Sequence, residues 1–428
     1  MTAIRENALY NKTILTNGLR IVSEKIPYTR SVAIGIWIDI GSRDESAELN
    51  GISHFIEHML FKGTRNRTAQ NIAFSLESLG GSLNAFTSRE QTCYHAVVLD
   101  EHLDQAVDVL ADILMYSTLT PANIEREKQV VIEEIREIDE TPADHIHELF
   151  SNSFWYGQSL GRPIMGTEAI VRSFSRPIVK AYMNRHYRGG RVVVSAAGNV
   201  SHRKLVNLIK DKLDFPAGCE NRGEPAVYPG GFTADFFRND SNQTHICVGF
   251  PGISYADSRR ITLLALNNYL GGGMSSILFQ KIREDKGIAY TVYTFADFYR
   301  DCGILGAYLA TDRSRLNEAL ETMLREFHKM KTRRLSRTTI EKIKDQLKGS
   351  LLLGQESTQG RMNRLGRQET LTESYFSLRD AIKAINSITA DDLIEISRII
   401  FDSNNATVTA LGSASRKDLN QVNWSILA

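Results

Sequence analysis

The chain has 428 residues, with 51 lysines and arginines against 50 aspartates and glutamates, and 42% of the residues are hydrophobic. This composition is typical of a soluble globular protein of about two or three domains, and it excludes a disordered tail, a collagen-like fibre and a small disulfide-bonded scaffold. A net charge of +1 lacks the basic excess that nucleic-acid binding uses, so we expect no nucleic-acid partner. The longest apolar runs, such as Ser31–Ile38 and Val192–Val200, are strand-sized, and we expect no membrane association.

The predicted elements of the first half alternate between strands and helices. Thr120-Pro121 predicts a helix start, and Gly80-Gly81 predicts a helix end followed by a turn. In chain order the predictions are strands over Thr13–Glu24 and Ser31–Ile40, helices over Gly51–Phe61 and Ala69–Leu79, strands over Ser82–Thr87 and Thr92–Leu99, and helices over His102–Met115 and Pro121–Asp139.

Similar segments recur at an offset of 214, which is half of the chain. The run VVVSAAG ends at Gly198 and the run ATVTALG ends at Gly412, and other landmarks share the same offset. We therefore predict an α+β fold of two homologous domains from an internal duplication. Each domain would be a mostly antiparallel sheet packed with helices, and the two would face each other across a cleft.

Glycines and prolines are dense between the two copies, which predicts a linker over residues 215–231. The predicted domains are 1–214, with the candidate site, and 232–428. The N-terminus shows no apolar segment after a basic start, and four scattered cysteines form no CxxC pair. We therefore expect reduced thiols and a cytoplasmic protein. The cysteines are Cys93, Cys219, Cys247 and Cys302.

The most informative segment reads HFIEH at residues 54–58. On a helix, His54 and His58 are four residues apart and share one face, with Glu57 on the same side. Two imidazoles on one face can bind zinc, and a carboxylate beside the bound water can serve as a general base. The order HxxEH is the inverzincin signature. Two histidines at this spacing also occur by chance.

A third ligand is available on the predicted helix Pro121–Asp139. Glu127 and Glu134 are seven residues apart and therefore share a helix face. Other glutamates on this charged helix are expected to be solvated, and spacing alone does not choose among the candidates.

The chain resembles the pitrilysin-type zinc peptidases, and most closely the mitochondrial processing peptidase group and its bacterial relatives. The resemblance covers nearly the whole chain. It rests on residues 51–64 (GISHFIEHMLFKGT), residues 81–90 (GSLNAFTSRE), Arg126-Glu127 and Glu133-Glu134.

This resemblance implies a role for each matching residue. Glu134 would be the third zinc ligand and Glu127 would support the site, with Glu57 as the base. The strand Asn84-Ala85-Phe86-Thr87 would be an edge strand that binds the substrate peptide by strand addition.

The second copy lacks the metal-binding residues. At the offset of 214, His54, Glu57, His58 and Glu134 correspond to Asn268, Gly271, Gly272 and Lys348, so we expect one zinc ion and one active site per chain. The resemblance implies instead that Arg283 and Tyr290 reach from the second domain toward the substrate and the oxyanion.

Two acidic residues beyond the third ligand, Asp144 and Glu148, match a region that receives a substrate arginine in processing peptidases. The resemblance therefore indicates a preference for basic peptides. The alternative is a solvated helix face. His145 and His147 cannot share a helix face, and we expect these and the remaining histidines to be structural or at the surface.

The predicted function is zinc-dependent endopeptidase cleavage of unfolded peptides or basic, presequence-like segments in a cavity between two domains. The alternatives are a non-catalytic structural or assembly subunit on the same fold, and a maturation protease dedicated to one peptide. The expected partners are a peptide substrate and a second copy of the chain in a homodimer.

Overall fold

A computed structural model describes residues 9–219, 223 and 225–427. The described residues form two compact units. The first draws on the described residues of the ranges Met1–Ile135, Arg162–Glu224 and Leu352–Tyr375, and the second on those of Arg136–Gly161, Pro225–Leu351 and Phe376–Ala428. Within these described ranges, no helix is both long and apolar enough to cross a lipid bilayer.

The regular elements are eleven strands and fifteen α-helices within the described residues. The strands are β1 (Tyr10–Ile14), β2 (Arg20–Lys25), β3 (Ser31–Ile38), β4 (Ser82–Thr87), β5 (Thr92–Leu99), β6 (Val192–Gly198), β7 (Thr233–Arg238), β8 (Thr244–Pro251), β9 (Thr291–Phe298), β10 (Gly303–Thr311) and β11 (Thr407–Gly412). The helices are α1 (Ile52–Leu60), α2 (Ala69–Glu77), α3 (Leu103–Tyr116), α4 (Pro121–Glu140), α5 (Pro142–Phe154), α6 (Glu168–Ser173), α7 (Arg176–His186), α8 (His202–Lys212), α9 (Arg260–Gly271), α10 (Leu316–Thr332), α11 (Arg337–Gly354), α12 (Thr358–Thr372), α13 (Leu378–Ser387), α14 (Ala390–Ile400) and α15 (Arg416–Leu419).

The first unit contains a six-stranded sheet in the order β1-β2-β6-β3-β5-β4. Its pairings are antiparallel except for the parallel pair β2–β6. Strand β3 buries both of its faces: Ile34 and Ile36 belong to the large core that includes α1 and α3, whereas Ala33 and Trp37 face a second cluster with α12. Burial on both faces explains why this strand reads as an unbroken apolar run.

The second unit contains a five-stranded sheet in the order β7-β11-β8-β10-β9. When β1 is left out, the first sheet has the equivalent order, β2-β6-β3-β5-β4. In each of these five-stranded sets, the one parallel pair joins the strand that comes first in the chain to the strand that comes last: β2 pairs with β6, and β7 pairs with β11. Gly198 and Gly412 end the equivalent strands β6 and β11 with positive φ angles of 129° and 134°. The predicted α+β class is therefore confirmed, and the shared topology supports the duplication.

Each compact unit includes one helix from the other half of the sequence. Helix α12 packs on β2, β3 and β6 of the first sheet, and α5 packs on β8 and β11 of the second sheet. The compact units thus differ from the contiguous ranges 1–214 and 232–428 of the sequence prediction. An apolar helix face shows that the helix is buried, but it does not show which sheet the helix covers.

The predicted strand Thr13–Glu24 is wrong, because the segment is a hairpin of β1 and β2. Gly18 adopts φ 91°, and the Asn17 side chain accepts a hydrogen bond from the Leu19 amide. Asn-Gly is a strong hairpin signal. The described part of the predicted linker, which is 215–219, 223 and 225–231, contains no helix or strand. Residues 1–8, 220–222, 224 and 428 of the predicted ranges lie outside the described residues.

Helix α12 approaches β3 closely because it carries a glycine at the contact. A Cβ atom at Gly366 would lie 2.1 Å from the Trp37 indole, whereas a Cβ atom at Gly349 in α11 would meet nothing within 4 Å. We expect Gly366→Ala to lower the free energy of unfolding by about 1–3 kcal/mol through overpacking, although alanine favours helix. Gly349→Ala is the matched control, and we expect it to raise stability by up to about 1 kcal/mol. Denaturant unfolding measures both changes, and equal effects of the two variants would contradict the packing argument.

Candidate metal centre

Helix α1 buries one face and presents three polar side chains on the other. Phe55 and Met59 are almost fully buried in the core of the first unit. His54, Glu57 and His58 lie on the opposite side, and the two imidazole rings are 4.5 Å apart between centroids. The 3.6-residue helical period produces this division, since the apolar and polar positions of the sequence HFIEHML fall on different faces.

The first turn of α1 is held by a buried carboxylate. Glu45 Oε2 accepts hydrogen bonds from the Gly51 amide at 2.7 Å and from the Asn50 side chain at 3.0 Å, and Oε1 accepts one from the Ser53 amide at 2.8 Å. Burial raises the pKa of Glu45 to about 7, while these hydrogen bonds lower it. Gly51 adopts φ 94°, and a Cβ atom there would lie 2.3 Å from the Met165 carbonyl oxygen. The helix therefore starts at a position where only glycine fits.

Helix α4 supplies the two carboxylates that the sequence pattern left as alternatives. Glu127 is 2% exposed and lies on the same face as the buried Ile124 and Val131. Glu134 is two turns further along, and its side chain is 38% exposed. The more accessible Glu134 is the one whose carboxylate meets both histidines.

Three donor atoms converge at this point. Glu134 Oε2 lies 3.5 Å from His58 Nε2 and 3.9 Å from His54 Nε2. All three residues offer ligand atoms within 4.8 Å of one another, and they are the one such group of three among the described residues. Zinc bonds of about 2.0–2.1 Å at tetrahedral angles place ligand atoms roughly 3.3–3.4 Å apart, so a small contraction of this group would fit zinc.

His58 is oriented by a hydrogen-bonded chain. Its Nδ1 lies 2.9 Å from Glu127 Oε1, and Lys62 Nζ lies 2.8 Å from Glu127 Oε2. Because a carboxylate accepts, Nδ1 donates and Nε2 keeps its lone pair toward Glu134 in the neutral ring. Burial raises the pKa of Glu127, but the hydrogen bonds from His58 and Lys62 outweigh burial and lower it.

His54 has no comparable support. Its Nδ1 is buried without a hydrogen-bond partner among the described residues. Burial and the neighbouring His58 lower the pKa of His54 to about 4, so the ring is neutral near pH 7. A neutral imidazole with a free lone pair is the form that binds a metal ion. The donor set therefore fits zinc, with two neutral nitrogen ligands and one carboxylate.

Glu57 receives a hydrogen bond from strand β4. Thr87 Oγ1 donates to Glu57 Oε2 at 2.5 Å. Burial raises the pKa of Glu57 above its usual value, whereas the Thr87 hydrogen bond and the nearby His58 lower it. A carboxylate with a raised pKa suits proton transfer near neutral pH.

Strand β4, which carries Asn84, Ala85, Phe86 and Thr87, lies at the edge of the first sheet, where β5 is its one partner among the described strands. The Ala85 amide donates to the side-chain oxygen of Asn84 at 2.8 Å. The Phe86 ring packs edge-on against Trp37, with centroids 5.5 Å apart. An edge strand offers unpaired backbone groups to an added peptide strand.

Arg283 and Tyr290 contact each other in the second unit. Arg283 lies in a π-helical turn, Phe279–Glu284, and its Nη1 donates to the Tyr290 carbonyl at 2.8 Å. Its guanidinium carbon lies 4.2 Å from the centre of the Tyr290 ring, which is 72% exposed. The two side chains therefore pack against each other, and their action on a substrate stays a prediction.

Asp144 and Glu148 lie four residues apart on α5 and so share a helix face, with Asp144 exposed and Glu148 half-buried. Their role as an arginine site stays a prediction. His147 on the same helix is a structural histidine, as expected: its Nε2 lies 2.7 Å from the Tyr293 hydroxyl, and burial lowers its pKa.

Sequence reasoning missed two residues that support the centre, Glu45 and Lys62. Lys62 lies four residues after His58, which is the helical spacing that the pattern itself offers. The N-cap residue of helix α1 is Gly51, which has no side chain that could accept a hydrogen bond. The sequence therefore indicates that a residue elsewhere must accept hydrogen bonds from the first amides of the helix. Nothing in the sequence identifies Glu45 as that acceptor.

Comparison with known proteins shows one family over most of the chain. Residues 20–168 match the family described as Insulinase (Peptidase family M16), and residues 173–347 match the one described as Peptidase M16 inactive domain. Uncharacterized zinc protease YmxG of Bacillus subtilis is 42% identical over 388 residues, which cover 90% of this chain and 94% of that protein. Uncharacterized zinc protease SCO5738 of Streptomyces coelicolor is 37% identical and covers 90% of this chain and 86% of that protein.

Solved structures share the fold at low sequence identity. A protease from Helicobacter pylori has a TM-score of 0.88 at 20% identity, covering 94% of this chain and 99% of its own. Fold and site together define the HxxEH class of metallopeptidases. The chain belongs to the M16 family of pitrilysin-type zinc metallopeptidases, as the sequence predicted.

The carboxylate of Glu45 generates the first prediction for this centre. In Glu45→Gln, an NH2 group replaces one carboxylate oxygen. This group cannot accept a hydrogen bond, so the buried N–H donors that face it lose their partner. We expect the free energy of unfolding of the metal-free protein at pH 8 to fall by about 1–3 kcal/mol. Glu48→Gln, three residues away at the surface, is the matched control and should change stability by less than about 0.5 kcal/mol. Equal stability of wild type and Glu45→Gln in urea unfolding would contradict the anchoring role.

The pKa of His58 generates a second prediction. Burial lowers this pKa, but the hydrogen bond to Glu127 and the charge of Glu134 outweigh burial and raise it above its ordinary value near 6.5. At pH 6 the metal-free ring is therefore protonated, and a metal ion must displace that proton. We expect zinc binding at pH 6 to release about one proton, and zinc affinity to fall about tenfold per pH unit below this pKa.

Calorimetry in buffers of different ionisation enthalpy measures the proton release. Glu127→Gln removes the hydrogen bond that raises the pKa, so this variant should release fewer protons at pH 6 than wild type does. If wild type bound zinc at pH 6 without releasing a proton, His58 would not be protonated in the metal-free protein, and the prediction would be wrong.

Proposed function

We propose that the protein is a zinc-dependent endopeptidase that cleaves unfolded peptides, with a preference for basic, presequence-like segments. One zinc ion per chain would be held by His54, His58 and Glu134. The observation that carries the proposal is the convergence of His54 Nε2 and His58 Nε2 on Glu134 Oε2, with Glu57 on the same face of α1. Membership of the M16 family and relatives named zinc proteases support the same chemistry.

When bound, zinc would supply positive charge that acidifies a water molecule and polarises the scissile carbonyl. Glu57 has one oxygen, Oε2, engaged by Thr87, so Oε1 is the oxygen placed to accept the proton of the attacking water. As the new C–O bond forms and the peptide C–N bond breaks, Glu57 would return that proton to the leaving amine. Glu127 and Lys62 keep His58 oriented throughout.

Substrate binding would use the edge of the first sheet. A peptide added to β4 would form backbone hydrogen bonds, which recognise extended chain of any sequence and favour unfolded segments. If a carbonyl oxygen of the peptide accepted a hydrogen bond from the Ala85 amide, this bond would replace the one that the amide donates to the Asn84 side chain.

Specificity would come from residues outside the metal centre. We propose that Arg283 and Tyr290 contact the bound peptide, and that Asp144 and Glu148 attract a substrate arginine. A homodimer in the cytoplasm is the proposed working form.

The decisive experiment compares wild type, Glu57→Gln and Glu137→Gln in cleavage of a mixture of unfolded peptides. Loss of the general base should lower kcat by about 10²–10⁴-fold while zinc still binds, since Glu57 is not among the proposed ligands. Glu137, an exposed glutamate on α4, is the matched control, and its change to Gln should leave kcat unchanged. A chelator should abolish wild-type cleavage and added zinc should restore it.

Other outcomes would separate the alternatives. Cut sites without basic residues nearby would contradict the proposed arginine preference but not the peptidase activity. Zinc binding without any cleavage would favour a protease dedicated to one peptide. Failure to bind zinc at all would favour a non-catalytic subunit on the same fold.

A further inference from the structure

Strand β4 and helix α1 are joined at their functional side chains. Thr87 is the last residue of β4, and its hydroxyl donates to Glu57 Oε2 at 2.5 Å. A threonine hydroxyl has one proton to donate, and in this structure that proton goes to Glu57. The contact therefore links the proposed base to the edge strand of the sheet.

The contact restrains a side chain that would otherwise rotate. The terminal torsion of glutamate has a broad distribution, so a carboxylate with no partner samples many orientations. Threonine is β-branched and has few χ1 conformations in a strand, so its hydroxyl is held in one direction. A bond from a stiff donor engages Oε2 of Glu57 and so restricts the orientation of the whole carboxylate.

The donor itself is fixed by the hairpin that follows β4. Thr87 is opposite Thr92 of β5, and the Ser88 amide donates to the Gln91 carbonyl across the turn. Because this hairpin fixes the backbone of Thr87, the Thr87 side chain cannot easily follow Glu57 if the carboxylate moves.

We propose that Thr87 is a positioning residue that holds the Glu57 carboxylate in its reactive orientation and ties that orientation to strand β4. This inference rests on the proposed peptidase function, because it assigns Glu57 the role of base. Thr87 is thus distinct from a residue that only lends its backbone to strand addition. It acts through Glu57, which accepts the hydrogen bond from its hydroxyl, and it is not itself one of the proposed metal ligands.

The test uses three variants of the full chain. Thr87→Val keeps the shape of the side chain and removes the donor, whereas Thr87→Ser keeps the donor. Thr92→Val is the matched control, since it removes a buried hydroxyl from the opposite strand without touching Glu57. Each zinc-loaded variant is assayed for kcat and KM. Each cobalt-substituted variant is examined by absorption spectroscopy, and each metal-free variant is crystallised.

We expect Thr87→Val to lower kcat by about 10- to 100-fold with KM changed less than about threefold, because loss of an orienting partner costs about that much. Thr87→Ser and Thr92→Val should keep kcat within about threefold of wild type. The cobalt spectra should be identical. In the metal-free crystals, the Glu57 carboxylate should occupy one orientation in wild type and Thr87→Ser and several in Thr87→Val.

Three results would overturn the inference. The first is a Thr87→Val variant that retains the kcat of wild type. The second is a Thr87→Ser variant that is as impaired as Thr87→Val. Either result would show that the hydroxyl does not set kcat. An altered cobalt spectrum in Thr87→Val would show that the residue supports the metal site in general. If wild type itself cleaves nothing, the proposed function fails, and the crystal structures alone then decide whether Thr87 orients Glu57.

Discussion

The first turn of helix α1 is the constraint on which the metal centre depends. The helix must bury an apolar face in the core of the first unit, and this places its N-terminal amides away from water. Buried amides need acceptors, and the carboxylate of Glu45 provides them at Gly51 and Ser53. His54 follows directly and has no partner at Nδ1 among the described residues, so its position depends on the helix start. His58 differs, because Glu127 orients it from another helix.

Charge balance explains why this arrangement calls for a cation. Glu57, Glu127 and Glu134 lie around two imidazoles, and the Lys62 ammonium forms an ion pair with Glu127. With neutral histidines and ionised carboxylates, the group carries a charge of about −2, which a divalent ion would neutralise. Burial raises the pKa of Glu57, and the hydrogen bond to Glu127 and the charge of Glu134 raise that of His58.

Much of this centre could be predicted because its information is local. The HFIEH segment specifies a helix face by its period, and the Asn84–Thr87 strand follows a Gly-Gly turn. The choice of Glu134 over Glu127 needed the family resemblance, since both share a face and only their burial separates them. Two features could not be predicted: the role of Glu45 as acceptor at the start of α1, and the location of α5 and α12 on their sheets. Both depend on long-range packing, which leaves no periodic pattern in a single sequence. The predicted strand Thr13–Glu24 is wrong for a different reason. The Asn17-Gly18 pair inside it is a local turn signal, and that signal alone predicts a hairpin.

The duplicated topology shows what the fold alone contributes. Both sheets have the same strand order, and both end a central strand at a glycine with positive φ. At the offset of 214, however, the two histidine positions correspond to Asn268 and Gly272, and the latter lies just beyond the end of α9. The equivalent segment of the second copy therefore lacks the ligand chemistry, and its helix ends before the position that corresponds to the second histidine. A shared fold positions a helix beside an edge strand in each copy, but a metal centre also requires donor side chains, and the first copy alone combines the two.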